Sequence, residues 1–208
     1  MKPYTTVLKA GQAEQTIERS RFIGHTMPAK TVSECENFFQ KIKKEYRQAT
    51  HNVPAYVLGE NQELQWAGDD GEPRGTSGAP IVHMLVNEGI SDVAIVVTRY
   101  FGGIKLGTGG LVRAYTGTAK LAIADAGLGR VSEKLILNVE IDYTDYNRLE
   151  IAAGNAYIIE EKLFAEKVTV SLSCDPDIRD MVLDEIKTLC RSVQLISEKQ
   201  EKTINPLL

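Results

Sequence analysis

The stretch Arg99–Tyr115 reads RYFGGIKLGTGGLVRAY and puts five glycines, Gly102, Gly103, Gly107, Gly109 and Gly110, into nine positions. A continuous apolar run, Val93–Val97, precedes it, and a helical pattern rich in alanine and glycine follows from Leu111. A loop that leaves a buried strand and opens a helix presents unpaired backbone N–H groups, here at Gly107, Thr108, Gly109, Gly110 and Leu111. Glycine lets an anion come close to them. Arg99, Lys105 and Arg113 add positive charge on either side. The chemistry this suggests is phosphate or anion binding. Neither nucleotide fingerprint is complete. Thr108 stands where a Walker loop starting at Gly102 needs lysine, and Val112 stands where the dinucleotide pattern starting at Gly107 needs its third glycine. Three readings stay open: an anion site, a tight corner whose glycines supply positive φ and close packing, or a protein-contact loop.

A second dense stretch, Ala67–Pro80, reads AGDDGEPRGTSGAP. Asp69, Asp70 and Glu72 have the chemistry to hold Mg²⁺, but Asp-Gly and Glu-Pro are turn dipeptides. An exposed acidic turn is the preferred reading, and no metal or cofactor is expected. Thr76 or Ser77 is positioned to cap the next helix, and Arg74 could face the glycine loop. His25, His51 and His83 lie in unrelated contexts and read as structural. Cys35 falls on an apolar helix face, whereas Cys174 precedes a helix start, which could lower its pKa. Tyr100, Phe101 and Tyr115 are candidates for stacking on bases, with burial in the core the commoner use.

These segments need elements to hold them. Strands are expected at Ser20–Ala29, His51–Gly59, Leu64–Ala67 and Val93–Val97, with Pro54 marking an edge or bulge. Helices are expected after a Thr31/Glu34 capping box, over Ser77–Asn87, and over Leu111–Ala126, whose small side chains let it lie close to a sheet. Lys2–Gln15 is polar, lacks a period and is expected to be loosely held. Past Gly127 the pattern changes. Leu135–Ile141 alternates as a strand and Thr144 is placed to cap a helix ended by Gly154. Ala156–Phe164 and Lys167–Ser173 form two strands, Asp175-Pro176 starts another helix, and Ser192–Lys199 is a last strand. That order, βαββαβ, is the ferredoxin-like split pattern.

The chain has 208 residues and a net charge of −4, unevenly spread. Residues 1–130 carry a net +2 and residues 131–208 a net −6. The acidic part should repel a polyanion, so any RNA would meet the first part, and DNA is not expected. Three separated cysteines suit free thiols in a reducing cytoplasm. The N-terminal residues lack a signal-peptide h-region, and no apolar stretch reaches the roughly 20 residues of a membrane span.

Asp69–Pro80 followed by Val97–Tyr115, in this order and spacing, resembles the IMPACT family. The resemblance covers the first part as the family's N-terminal domain; the second part matches the bacterial C-terminal domain by pattern more than by motif. It implies an α+β fold of two domains, 1–129 and 130–208. The first would be like the second domain of ribosomal protein uS-five, and the second, ferredoxin-like, like the last domain of elongation factor G. Eukaryotic relatives regulate translation by interfering with activation of a stress kinase. The expected function is a non-catalytic regulatory binding protein linked to translation or stress response, contacting RNA, the ribosome or a translation-related protein. The alternative is an enzyme that binds a nucleotide or phosphorylated small molecule at the glycine loop.

Overall fold

The computed structural model describes residues 3–207. The chain divides into two compact units: the first runs to Val131 and takes in the chain from Ile204, and the second is Ser132–Thr203.

The first unit begins with β1 (Tyr4–Val7), β2 (Gly11–Ile17) and β3 (Ser20–Pro28). Helix α1 (Val32–Glu45) follows, then β4 (His51–Leu58) and β5 (Leu64–Ala67). Helix α2 (Gly78–Asn87), β6 (Val93–Tyr100) and α3 (Gly107–Ala126) complete it. The main sheet has the order β2-β3-β6-β4-β5, antiparallel throughout. Its centre is β6, buried from Val93 to Arg99, with the unbroken apolar run Val93–Val97 followed by buried Thr98 and Arg99. Helices α2 and α3 bury one face against Phe22, Val53, Val57, Ile95 and Val97. Helix α1 covers part of the other, with Cys35 buried near Leu58 and Ala94. The Thr31/Glu34 capping box closes its first turn.

The N-terminal segment is not loose: from Tyr4 it is strand, while Lys2 lies outside the described residues. In β2 the positions facing α3 are Gly11, Ala13 and Gln15, too small or too polar to show an apolar alternation. Gln15 Nε2 donates instead to Thr118 Oγ1 at 2.7 Å. Pro54 also departs from expectation, because β4 is flanked by β6 and β5. It stands at the end of the β4–β5 ladder, one residue past the Ala55–Ala67 pair, where the Gly68 N–H still donates to the Pro54 carbonyl at 3.0 Å and only the return bond is missing.

β7 (Leu128–Ile141) starts earlier than its alternation suggests; Leu128–Val131 pair with β1. It continues into the second unit, followed by α4 (Tyr143–Ala152), β8 (Ile158–Phe164) and β9 (Val168–Cys174). A short 3₁₀ turn at Pro176–Ile178 leads into α5 (Arg179–Leu189), and β10 (Val193–Pro206) is the last strand, its end from Ile204 belonging to the first unit. The N-cap of α4 is Asp142, not Thr144. Strand order β10-β7-β9-β8 is that of the ferredoxin-like split βαβ fold. One face of this sheet packs Leu137, Val139, Val170 and Leu172 against Leu149, Val182 and Ile186 of the helices.

The close approach of α3 depends on bare backbone beneath it. A Cβ on Gly24 would lie 2.6 Å from the Thr118 carbonyl oxygen. Gly24→Ala should therefore lower unfolding stability by about 1–3 kcal/mol through overpacking. Gly117→Ala, where a Cβ meets only Gln15 Nε2 at 3.5 Å, should raise it by about 0.5–1 kcal/mol. Urea denaturation distinguishes the two signs. His25 supplies a pH test. It is buried on β3 against the Tyr46 ring, 4.7 Å between centroids, with Nε2 unpartnered. Burial pushes its pKa down to about 4 despite the nearby Glu45 carboxylate. The unfolded chain takes up this proton near pH 6.5 and the folded one only near 4, so the stabilisation is present above 6.5 and is lost as pH falls towards 4. Denaturation midpoints between pH 7 and 4 should fall less steeply in His25→Gln.

Candidate functional site at the start of helix 3

The acidic turn between β5 and α2 is built by its own carboxylates. Asp69 accepts from Ser77 Oγ at 2.7 Å, Gly75 N–H at 2.9 Å and Gly78 N–H at 3.0 Å. Burial alone would raise its pKa, but these donors hold the carboxyl below its usual range. Ser77 is the N-cap residue of α2, one of the two positions expected, but its side chain makes no cap bond, and the Asp69 carboxylate meets the helix start instead. Asp70 accepts from the Asn52 N–H at 2.7 Å and pairs with Lys43 at 3.2 Å. Thr76 Oγ1 donates to the Pro73 carbonyl at 2.7 Å.

Glu72 does not lie on an exposed turn. Its side chain is 3% exposed and reaches inward, where Oε1 accepts from Arg99 Nη1 and from Tyr115 OH, both at 2.7 Å. His51 Nε2 lies 3.6 Å from the same oxygen, and its Nδ1 lies 2.8 Å from the Asp70 carbonyl. With Nδ1 as the donor, that bond orients the ring. Arg99 Nη2 donates to Ser20 Oγ at 3.3 Å, and Ser20 Oγ accepts from Gly102 N–H at 3.2 Å. The Arg99 guanidinium lies over the rings of Phe22 and Phe101, 5.3 and 5.2 Å from their centroids. Its Nε is buried without a hydrogen-bond partner. Burial, then the bond to Glu72, pushes the Tyr115 pKa well above its ordinary value, so this phenol stays protonated. The network joins β4, the acidic turn, β6, β3 and α3. It leaves the Arg99 charge engaged internally and the Tyr115 ring, 0% exposed, beyond reach of a base.

The glycine loop lies beside this network. Gly102 is needed for close approach, since a Cβ there would sit 2.0 Å from the Arg19 carbonyl oxygen. Gly103 and Gly107 have φ of 88° and 70° with open space around them. All three serve the corner. Gly109 and Gly110 lie inside α3, where a Cβ on Gly110 would press on Leu106 at 3.0 Å. The first turn of α3 has no side-chain cap and no acidic residue. Lys105, Thr108 and Arg113 are exposed around it, with Phe101 45% exposed alongside. Arg113 Nη1 comes within 3.7 Å of the position of a Gly109 Cβ. Arg74 is exposed on the acidic turn. Among the described residues, the side chains of Arg74, Lys105 and Arg113 make no ion pair or hydrogen bond.

Sequence reasoning therefore placed Arg99 and Glu72 in separate roles that the structure joins, and it missed His51 and Ser20 as their partners. One signal was present: an arginine ending a buried strand requires a buried acid. Cys174 also departs from expectation, since burial pushes its thiol up. Cys35, pushed up to about 11, and Cys190 behave likewise.

Two α+β units, the first carrying a glycine-rich strand-to-helix junction locked to an acidic turn, define the class of protein. The family model described as the Impact N-terminal domain matches residues 18–123, from the end of β2 into α3. IMPACT family member YvyE of Bacillus subtilis is 43% identical over 166 residues, 79% of this chain and 76% of that one. IMPACT family member YigZ of Escherichia coli is 36% identical over 144 residues, covering 67% and 70%. Protein IMPACT of Rattus norvegicus is 33% identical over 97 residues, 44% of this chain and 30% of that protein. A solved structure described as that of a hypothetical protein superposes with a TM-score of 0.61 at 26% identity, over 95% of this chain and 98% of that one. The chain belongs to the IMPACT family.

Removing one partner of a buried pair leaves an uncompensated charge, at a cost of about 3–5 kcal/mol. Glu72→Gln should therefore destabilise the first unit by that amount. Tyr115→Phe, which deletes one neutral donor, should cost about 0.5–1.5 kcal/mol. Chemical denaturation of the two variants tests the ranking; equal small effects would mean that Glu72 does not organise the site.

Proposed function

We propose that this chain is a non-catalytic regulatory binding protein linked to translation or stress response. Its contact surface is the start of α3, and its partner is RNA, the ribosome or a translation-related protein. The supporting observation is the division of charge. Arg99 is neutralised by Glu72 inside the fold, while Lys105 and Arg113 stand exposed beside uncapped helix-start amides that no acidic residue opposes. Such a surface attracts phosphate through backbone N–H groups and cations together. Arg74, from the acidic turn, is a further exposed cation of this unit. Membership of the IMPACT family supports the link to translation. The same surface would accept a small phosphorylated molecule, which the test below includes as a competitor.

Binding of labelled single-stranded RNA at two salt concentrations tests the proposal, with inorganic phosphate and ATP as competitors. Lys105→Ala and Arg113→Ala should each weaken binding by about tenfold at low salt. Each should also reduce the salt slope by about 0.7. Their melting temperatures should stay close to that of the parent. Gly107→Val should lower the melting temperature, since a side chain at positive φ costs about 1–2 kcal/mol. Affinities equal to the parent's at low salt would leave the loop a packing feature and remove the proposal.

A further inference from the structure

Helices α2 and α3 pack on one face of the first sheet and leave a groove of about 480 Å³ between them. Pro80 and Met84 of α2 and Val112 of α3 give it an apolar lining. His83 and Asn87 stand exposed along the α2 rim, and Thr116 lies on the α3 side. The Lys120–Glu88 pair, at 2.5 Å, closes one end. The other end lies at Val112, which shares a helix face with Thr108 and Gly109 in the turn before it. The groove thus opens onto the first turn of α3.

Its walls are free of unpaired acid. Helix α2 carries no Asp, Glu, Lys or Arg, and Arg113 is the one such residue of α3 before Lys120. Glu88, the carboxylate that lines the groove, is paired with Lys120. Nothing on these walls therefore opposes a phosphate at the open end, beside the exposed Lys105 and Arg113. Among the described residues, the His83 ring and the Asn87 amide make no hydrogen bond, ion pair or ring contact. An exposed imidazole face is a surface on which a base stacks. A free amide presents a donor and an acceptor side by side, the complement of the adenine N6/N7 edge. Thr116 Oγ1 donates to the Val112 carbonyl at 2.7 Å, which leaves its lone pairs to accept from a ribose hydroxyl.

We propose, resting on the reading of the α3 start given above, that this groove holds the base and ribose of one nucleotide of a single-stranded RNA whose phosphate lies at that helix start. Thr116 is about two turns, roughly 10.5 Å, along α3 from Gly109, and a nucleotide spans that length from its phosphate to the far edge of its base. The volume of the groove is that of a site for a single small molecule. In this arrangement the helix start holds any phosphate, while His83 and Asn87 demand an unpaired base and favour adenine.

The probes are a labelled oligoadenylate and an oligomer of the same length and charge whose sugars carry no base, each titrated against the full chain at two salt concentrations. The oligoadenylate should bind about fivefold or more tighter than the abasic oligomer. His83→Ala and Asn87→Ala, both at exposed positions, should erase most of that difference. They should leave the melting temperature, the salt slope and the abasic affinity as in the parent. Lys105→Ala should weaken both oligomers together and reduce the salt slope. In the parent, the NMR signals of the His83 ring should move with oligoadenylate and stay in place with the abasic oligomer. Equal affinity for the two oligomers, a His83 ring that does not respond, or a preference that survives in both groove variants would overturn the groove site and leave the α3 start standing. Lys105→Ala and Arg113→Ala binding both oligomers as the parent does would remove the helix-start reading and the groove site with it.

Discussion

The Glu72–Arg99 pair constrains the first unit more than any other contact. A guanidinium at the end of the central strand needs an anion in the interior, and the chain supplies it from a turn 27 residues earlier. Bringing Glu72 inward draws the acidic turn over the sheet. Asp69 then reaches the start of α2 and Asp70 reaches β4. Tyr115 adds the donor that brings α3 to the same carboxylate oxygen, and Ser20 ties β3 and Gly102 to the guanidinium. The two sequence stretches that look most like chemistry are thus the two halves of one buried polar junction. Buried ion pairs are weak contributors to net stability compared with apolar packing. Their effect here is on arrangement: the junction sets where the glycine loop leaves the sheet.

Corner and anion-site readings of that loop divide by residue. Gly102, Gly103 and Gly107 answer to backbone demands, a carbonyl at close range and two positive φ angles. Gly109 has no such demand and leaves the first turn of α3 uncovered, with Arg113 beside it. A helix of 20 residues with no acidic residue in its first turn and no side-chain cap keeps its positive end turned to solvent. The electrostatic asymmetry follows from construction. The acids of the neighbouring turn are drawn into hydrogen bonds or the interior, and the cations of the loop are left outside.

Strong periodicity carried much of the fold into the sequence. Val93–Val97 announced a central buried strand, Thr31 and Glu34 a helix start, and the alternation from Leu135 with Asp175-Pro176 the ferredoxin-like half. Where the reading failed, the side chains had stopped reporting burial. β2 faces α3 with Gly11 and Ala13, where the helix packs too close for larger groups, and with Gln15, whose amide bonds Thr118, and so it looked like a loose arm. Pro54 argued for an edge because the rule concerns a missing N–H, and here the loss is a single bond at the end of the β4–β5 ladder. Within the site, the glycines and cations were legible by spacing. The pairing of Arg99 with Glu72 was not, because a turn and a strand 27 residues apart meet only in three dimensions.

The three cysteines have a practical consequence. Cys35 belongs to the first unit and Cys174 and Cys190 to the second; all are buried and disulfide-free, and burial pushes every thiol pKa upward. At neutral pH the reactive thiolate is scarce, and peroxides or alkylating reagents reach it only when the backbone opens. Each unit therefore carries its own silent reporter of local unfolding: the rate at which an alkylating reagent modifies Cys35 clocks opening of the first, and modification of Cys174 and Cys190 clocks the second.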